Sequence, residues 1–158
     1  MADNGMIGNG IMVGYRITGS PGAAHTLIGQ LLNVDGLELA RAAVDRTVHS
    51  ANDFERDLPG MIRMSPLHLE LLASPDELVG EGVVQEALID LLLAGTTVEW
   101  RIEVPVDRAK TKYKGYVFDG FVRTWKHGKP IKERQVYEFE INFDDDSFDI
   151  EAAAVSAF

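Results

Sequence analysis

A chain of 158 residues with a formal charge of −10 and no cysteine can bury one sizeable core but can form no disulfide, thiolate metal site or thiol nucleophile. The acidity argues against ordinary nucleic-acid binding, whose affinity comes from Lys and Arg displacing counterions. The start "MADNGMIGNG" has no basic, apolar leader pattern, and Glu86 and Asp90 interrupt the apolar run "VVQEALIDLLLAG", so a soluble protein made in a cytoplasm is expected.

In chain order, residues 1–14 are glycine-rich and poor in packing side chains, which predicts an N-terminal arm. The glycines of "GNGIMVG" do not make a phosphate loop, because no strand precedes them and no Lys-Ser or Lys-Thr follows. After the turn at "SPG", "HTLIGQLLNVDGLEL" and "RAAVDRTVHS" read as strands. The stretch that follows is long, polar and closed by Pro59-Gly60. A compact domain seldom carries such a loop unused.

Beyond the loop, "MIRMSPLHLELLA" alternates, with Leu67, Leu69 and Leu71 on one face and His68 and Glu70 on the other. One helix is predicted over about 75–94. Ser74 and Glu77 form a capping box, Pro75 suits the first turn, and Gly80 and Gly82 delay the regular part to Val83. The apolar stripe is Val84, Ala87, Leu88, Leu91 and Leu92, and Gly95 stops it. Three strands come next. "TTVEWRIEVPV" sets Val98, Trp100, Ile102 and Val104 against Glu99, Arg101 and Glu103. "YKGYVFDGFVRTWK" is partly apolar on both faces, "KHGKPIKER" reads as a hairpin connection, and "QVYEFEINFDD" sets Tyr137, Phe139, Ile141 and Phe143 against Glu138, Glu140, Asn142 and Asp144. Residues 147–158 read as a C-terminal arm. The sum is a single, mainly β domain: an antiparallel sandwich or split barrel with one flanking helix, two arms and a long inter-strand loop.

The charge is uneven. Between Arg101 and Arg134 lie ten of the fifteen basic residues and only four acids, a local +6 against −16 elsewhere. Such a segment is either a solvated basic hairpin or one of two complementary surfaces that meet between copies.

No enzyme signature emerges, and neither a cofactor nor a metal is expected. His25, His49, His68 and His127 lack metal-ligand spacing, and "DDDSFD" lacks the glycine and closing glutamate of a calcium loop. Ser20, Ser50 and Ser65 sit in no nucleophile motif, and Glu138 with Glu140 continues into a solvated polar wall. Trp100, Tyr116, Trp125 and Tyr137 could form a carbohydrate platform, although aromatics on alternating strands more often pack a core.

The order of these parts resembles the major tail tube proteins of long-tailed bacteriophages. The likeness runs from about Ile17 to Asp144, through "VDGLELARAAVDRTVHS", the loop closing in "LPGM", "IRMSPLHLELL", the acid-capped helix, "TTVEWRIEVP", "YKGYVFDGFVRTW" with its Gly-Tyr-Val, and "ERQVYEFEINF". It implies a β-sandwich or split barrel, related also to the tube proteins of contractile injection systems. Its copies would form homo-hexameric rings that stack into a virion tail tube beside other tail proteins, with no membrane insertion by this chain. DNA would pass through the lumen without specific binding. On that footing Glu99, Glu103, Glu138, Glu140 and Asp144 are lumen-facing candidates, since carboxylates repel phosphate where Lys or Arg would grip it. The loop residues Asn52, Asp53, Phe54, Glu55, Arg56, Asp57 and Leu58 would then order between subunits or rings. The competing expectations are a single-ring tail component, such as a baseplate-like or terminator protein, and a carbohydrate-binding β-domain marked by an exposed aromatic cluster.

Overall fold

The computed structural model describes residues 10–19, 22–45, 57–74, 80–131, 134–143 and 147–158. Its strands are β1 (Met12–Ile17), β2 (Thr26–Leu27), β3 (Leu31–Asp35), β4 (Leu39–Asp45), β5 (Asp57–Met64) and β6 (Leu67–Leu72), then β7 (Val98–Pro105), β8 (Tyr113–Ile131), β9 (Arg134–Phe143) and β10 (Asp149–Ala154). Among the described residues one helix, α1 (Glu81–Ala94), lies between β6 and β7. One antiparallel sheet runs β2-β1-β7-β8-β9-β6-β3 with β10 also paired to β8, and β4 pairs with β5 as a separate ribbon. The molecule is mainly β, an antiparallel sandwich with one flanking helix.

The sandwich exists because β8 is too long for one partner. Its first half, Tyr113–Gly120, pairs with β7, and its second half, from Gly120 to Ile131, pairs with β9. Gly120 is the changeover, opposite Val98 on one side and Phe143 on the other. A Cβ there would lie 2.6 Å from the backbone oxygen of Asn142, so only glycine lets the strands come this close. The Gly120 carbonyl accepts the indole N–H of the fully buried Trp100 at 3.1 Å, which satisfies the one polar group of the largest core side chain. Folded about this corner, the two halves of the sheet bury one shared core: Val13, Val98, Trp100, Ile102 and Phe118 from one half, Leu67, Leu69, Leu71, Phe139 and Ile141 from the other.

The helix covers part of this core with Leu88, which is fully buried. It is clipped to the end of β6 by Gln85, whose amide donates to the Leu72 carbonyl at 2.8 Å and whose oxygen accepts from the Ser74 N–H at 2.9 Å. Gly80, at a positive φ of 62°, occupies the N-cap, and Gly95 closes the helix in the left-handed conformation as expected. The described helix begins at Glu81, and residues 75–79, with the proposed capping partner Glu77, fall outside the described residues.

Four expectations shift. Residues 12–14 are not arm: Met12 and Val13 are buried and paired with Glu103 and Ile102. The segment read as a C-terminal arm packs on its own chain, with β10 hydrogen-bonded along the first half of β8. Asp57 and Leu58 belong to β5, opposite Asp45 and Val44. The hairpin connection is shorter than "KHGKPIKER", because pairing continues from Lys126↔Glu138 through Gly128↔Val136 to Ile131↔Arg134, with an irregularity after Gly128. Asn52 to Arg56 and Asp144 lie outside the described residues.

If Gly120 sets the corner, Gly120→Val should fold less stably than wild type by about 1–3 kcal/mol, the usual cost of overpacking a filled site. Urea unfolding measures this, and an unchanged midpoint would show that the corner has slack.

Candidate functional site

The second half of the sheet, β8-β9-β6-β3, puts its apolar face on the core and its polar face outward. Cross-strand register organises the outer face into two rows: Asp35, His68, Glu140 and Thr124 in one, Asn33, Glu70, Glu138 and Lys126 in the next. Side chains directly opposite one another stand about 5 Å apart at Cβ, so Glu70 and Glu138 meet as like charges. Two exposed cations partly offset the wall, Arg123 on Glu140 at 3.1 Å and Lys126 on Glu138 at 3.4 Å. Such surface pairs contribute little free energy. Four carboxylates against two cations leave the face net acidic. The sequence candidates Glu138 and Glu140 are therefore joined by Asp35, His68 and Glu70. Alternation had placed His68 and Glu70 on a polar side but could not say which strands they would neighbour. Among the described residues no group of three or more His, Asp or Glu is placed to hold a metal ion.

This half-sheet also has two open edges. Among the described residues, no strand pairs with the outer side of β3 or with the outer side of β8 beyond Gly120.

Glu99 and Glu103 sit elsewhere, on the half built from β1, β7 and β8. Glu99 receives Arg16 at 2.7 Å and His25 at 2.9 Å. Glu103 is fully buried: it accepts from Arg101 at 2.9 Å, from the Ser156 hydroxyl at 2.6 Å and from the Ala157 N–H at 2.9 Å. Its carboxylate is sealed beneath the residues after β10 and meets no solvent, contrary to what strand alternation suggested. Burial lowers the pKa of His25, the hydrogen bond to Glu99 opposes this, and the nearby positive charge of Arg16 adds to the lowering.

Among the described residues, the β4–β5 ribbon pairs with no strand of the large sheet. It exposes Leu39, Val44, Leu58, Met61 and Ile62, and Met61 is 76% exposed. A two-stranded ribbon with apolar residues open to water is marginal alone and calls for a covering surface. On the β8–β9 hairpin, Trp125, His127 and Tyr137 cluster at 5.1–6.2 Å between ring centroids. Tyr137 meets its two neighbours edge-on, so the cluster does not spread into a flat sugar platform.

No family model matches the chain, and no curated protein matches it in sequence. Solved structures do. A PVC sheath/tube terminator of an extracellular contractile injection system in the extended state superposes with a TM-score of 0.65 at 13% identity, over 90% of this chain and 93% of that one. A chain from the virion of a native gene transfer agent particle gives 0.65 at 10% identity, over 90% and 95%. The SPP1 tail tube gives 0.63 at 8% identity, over 92% and 80%. This is a tail-tube-like fold. The tail-tube-like chain keeps the architecture with little shared sequence, so no residue role transfers by identity, and the roles of its side chains must be argued from its own geometry.

Within the tail-tube-like chain, His25 gives a pH test. Its folded pKa lies below the ordinary value near 6.5, so the folded state favours the neutral ring. The stability this represents is complete above the unfolded pKa and is lost as pH falls through 6.5 toward the folded value. Denaturant titrations at pH 7.5 and 5.5 should show a larger loss on acidification for wild type than for His25→Gln. Equal losses would remove His25 from the account.

Proposed function

We propose that copies of this chain join edge to edge into rings, and that the rings stack into a tail tube through which DNA passes. The observation that carries this reading is a four-strand half-sheet with two open edges and one acidic face. Each neighbouring pair in β8-β9-β6-β3 is antiparallel, so β8 and β3 themselves run in opposite directions. The β3 of one copy can therefore meet the β8 of the next as an ordinary antiparallel pair, and closure removes both exposed edges. Solved relatives support the count. One is a baseplate of the anti-feeding prophage described as 6-fold symmetrised, and another is the tail of an empty gene transfer agent particle with C6 symmetry. Six copies of four strands make a barrel roughly 45 Å across at the backbone, from strand spacing and ordinary barrel tilt, which is wide enough for a DNA duplex.

The sandwich core claims the apolar face of the half-sheet, so the closed barrel turns Asp35, Glu70, Glu138 and Glu140 toward the bore. A negative wall lets phosphate slide. The apolar β4–β5 ribbon, with the residues between its strands, supplies contacts to the adjacent ring and favours stacked rings over a single one. The chain would accordingly reside in a virion tail beside other tail proteins, as a structural component rather than an enzyme.

Negative-stain microscopy of the purified protein should show striated tubes or six-fold rings, and monomers at every concentration would defeat the proposal. Met61→Asp with Ile62→Asp alters only exposed side chains, so the variant should melt like wild type yet form no tubes. Glu138→Lys with Glu140→Lys changes the face from net −2 to net +2, counting the four carboxylates with Arg123 and Lys126. Tubes should still form, while particles rebuilt with them should eject DNA more slowly at low salt and recover as salt rises. Normal ejection at low salt would place these glutamates outside the bore.

A further inference from the structure

The segment Asp149–Phe158 lies on a site shaped for it. Along β8 it pairs Asp149 with Val117, Ile150 with Tyr116 and Glu151 with Gly115, and so caps the β8 edge that β9 leaves unpaired. Beyond β10 the chain folds back over the β1–β7 face. Glu151 holds Arg101 at 2.6 Å, and Ser156 and Ala157 fill the remaining hydrogen-bonding positions of the buried Glu103. Two glycines make room. A Cβ on Gly14 would lie 2.2 Å from the Phe158 ring, and one on Gly115 would lie 2.8 Å from Nη2 of Arg101. The ring of Phe158 also stands edge-on to His25 at 6.1 Å.

The hold, though specific, is thin. Every residue of β10 is exposed, Val155 is 81% exposed, and Phe158 is the one apolar anchor that packs inward. Elements with little apolar burial open at low free-energy cost. Lifting the segment would bare a strand edge, a cation at Arg101 and a carboxylate at Glu103, together with the smooth backbone of Gly14.

We propose that this surface is a peptide receptor, and that Asp149–Phe158 is both its built-in occupant and its guard. The receptor takes an extended segment that presents a carboxylate, a hydroxyl five residues on and an aromatic ring two residues after that. In this chain those are Glu151, Ser156 and Phe158, and the partner is the same segment of a second copy, exchanged between chains. A tethered occupant acts at an effective concentration near millimolar, so a free segment enters only where the resident hold is weakened. The proposal does not depend on ring formation, because its readout is peptide binding to a single chain.

The probe is a fluorescent synthetic peptide of residues 147–158, followed by anisotropy with three hosts: the wild-type chain, a chain ending at residue 148, and the full chain with Glu151→Ala and Ser156→Ala. The last host changes only residues of the segment itself, so it decides the matter should the shortened chain not fold. Both altered hosts should bind the peptide saturably at 1:1, and wild type at least about tenfold more weakly. A peptide carrying the same two alanines should lose about tenfold or more, since it lacks both charge-assisted contacts. Absence of binding to either folded host, equal binding to wild type, or indifference to the alanines would each overturn the assignment.

Discussion

The sharing of β8 between two partners is the constraint on which everything else rests. Nineteen residues form one strand, far longer than usual, and no single neighbour spans it. The first half is committed to β7 and β10, the second to β9, and the backbone passes between them where Gly120 permits contact closer than any side chain would allow. That corner gives the sheet its two halves, and with them a buried side that holds Trp100 and Phe139 and a free side that carries the acidic rows. It also leaves the second half of β8 with an unpaired flank. The core and the open edge are two products of one bend.

The acidic face carries a repulsion that the packing of the monomer does not relieve. Glu70 opposite Glu138 is repulsive in the monomer, and the Arg123 and Lys126 pairs are too exposed to compensate strongly. Nothing in the packing of the sandwich requires carboxylates there; Thr or Ser would serve the sheet as well. On the other half the same residue type is used differently. Glu99 and Glu103 each have cationic partners within 3 Å, and Glu103 is buried only because three donors converge on it.

That contrast also explains what could be read in advance. Strands β6, β7 and β9 were legible because Leu67, Leu69 and Leu71, Val98, Trp100 and Ile102, and Phe139 and Ile141 recur at a period of two and are buried. The mainly β architecture followed from the same signals, and the helix stop from the glycine at Gly95. β1 and β10 were not legible: "MVGYRI" sits in a glycine-rich context and "DIEAAA" has weak strand propensity, and both become strands because a neighbour offers an edge. Pro59 and Gly60 read as loop residues, but a two-stranded ribbon has outward positions where a proline costs no hydrogen bond. The site was half visible. Alternation put Glu99, Glu103, Glu138 and Glu140 on polar faces, yet whether a polar face meets water or the chain's own tail is decided by residues 53 positions away, as Ser156 is from Glu103.

The pairing of β1 with β7 has one more consequence, in time rather than space. Tyr15 finds its partner at Trp100, 85 residues later, and closing a loop of that size costs entropy before any contact repays it. On the ribosome β1 must wait for β7, and the edge of β8 must wait for β10, while the local β8–β9 hairpin can form at once. β10 is the last strand made, so the first half of β8 still lacks its β10 partner when the β8–β9 hairpin forms. The long-range pairings are the entropically costly ones, and until β10 arrives the half-made protein carries an open strand edge.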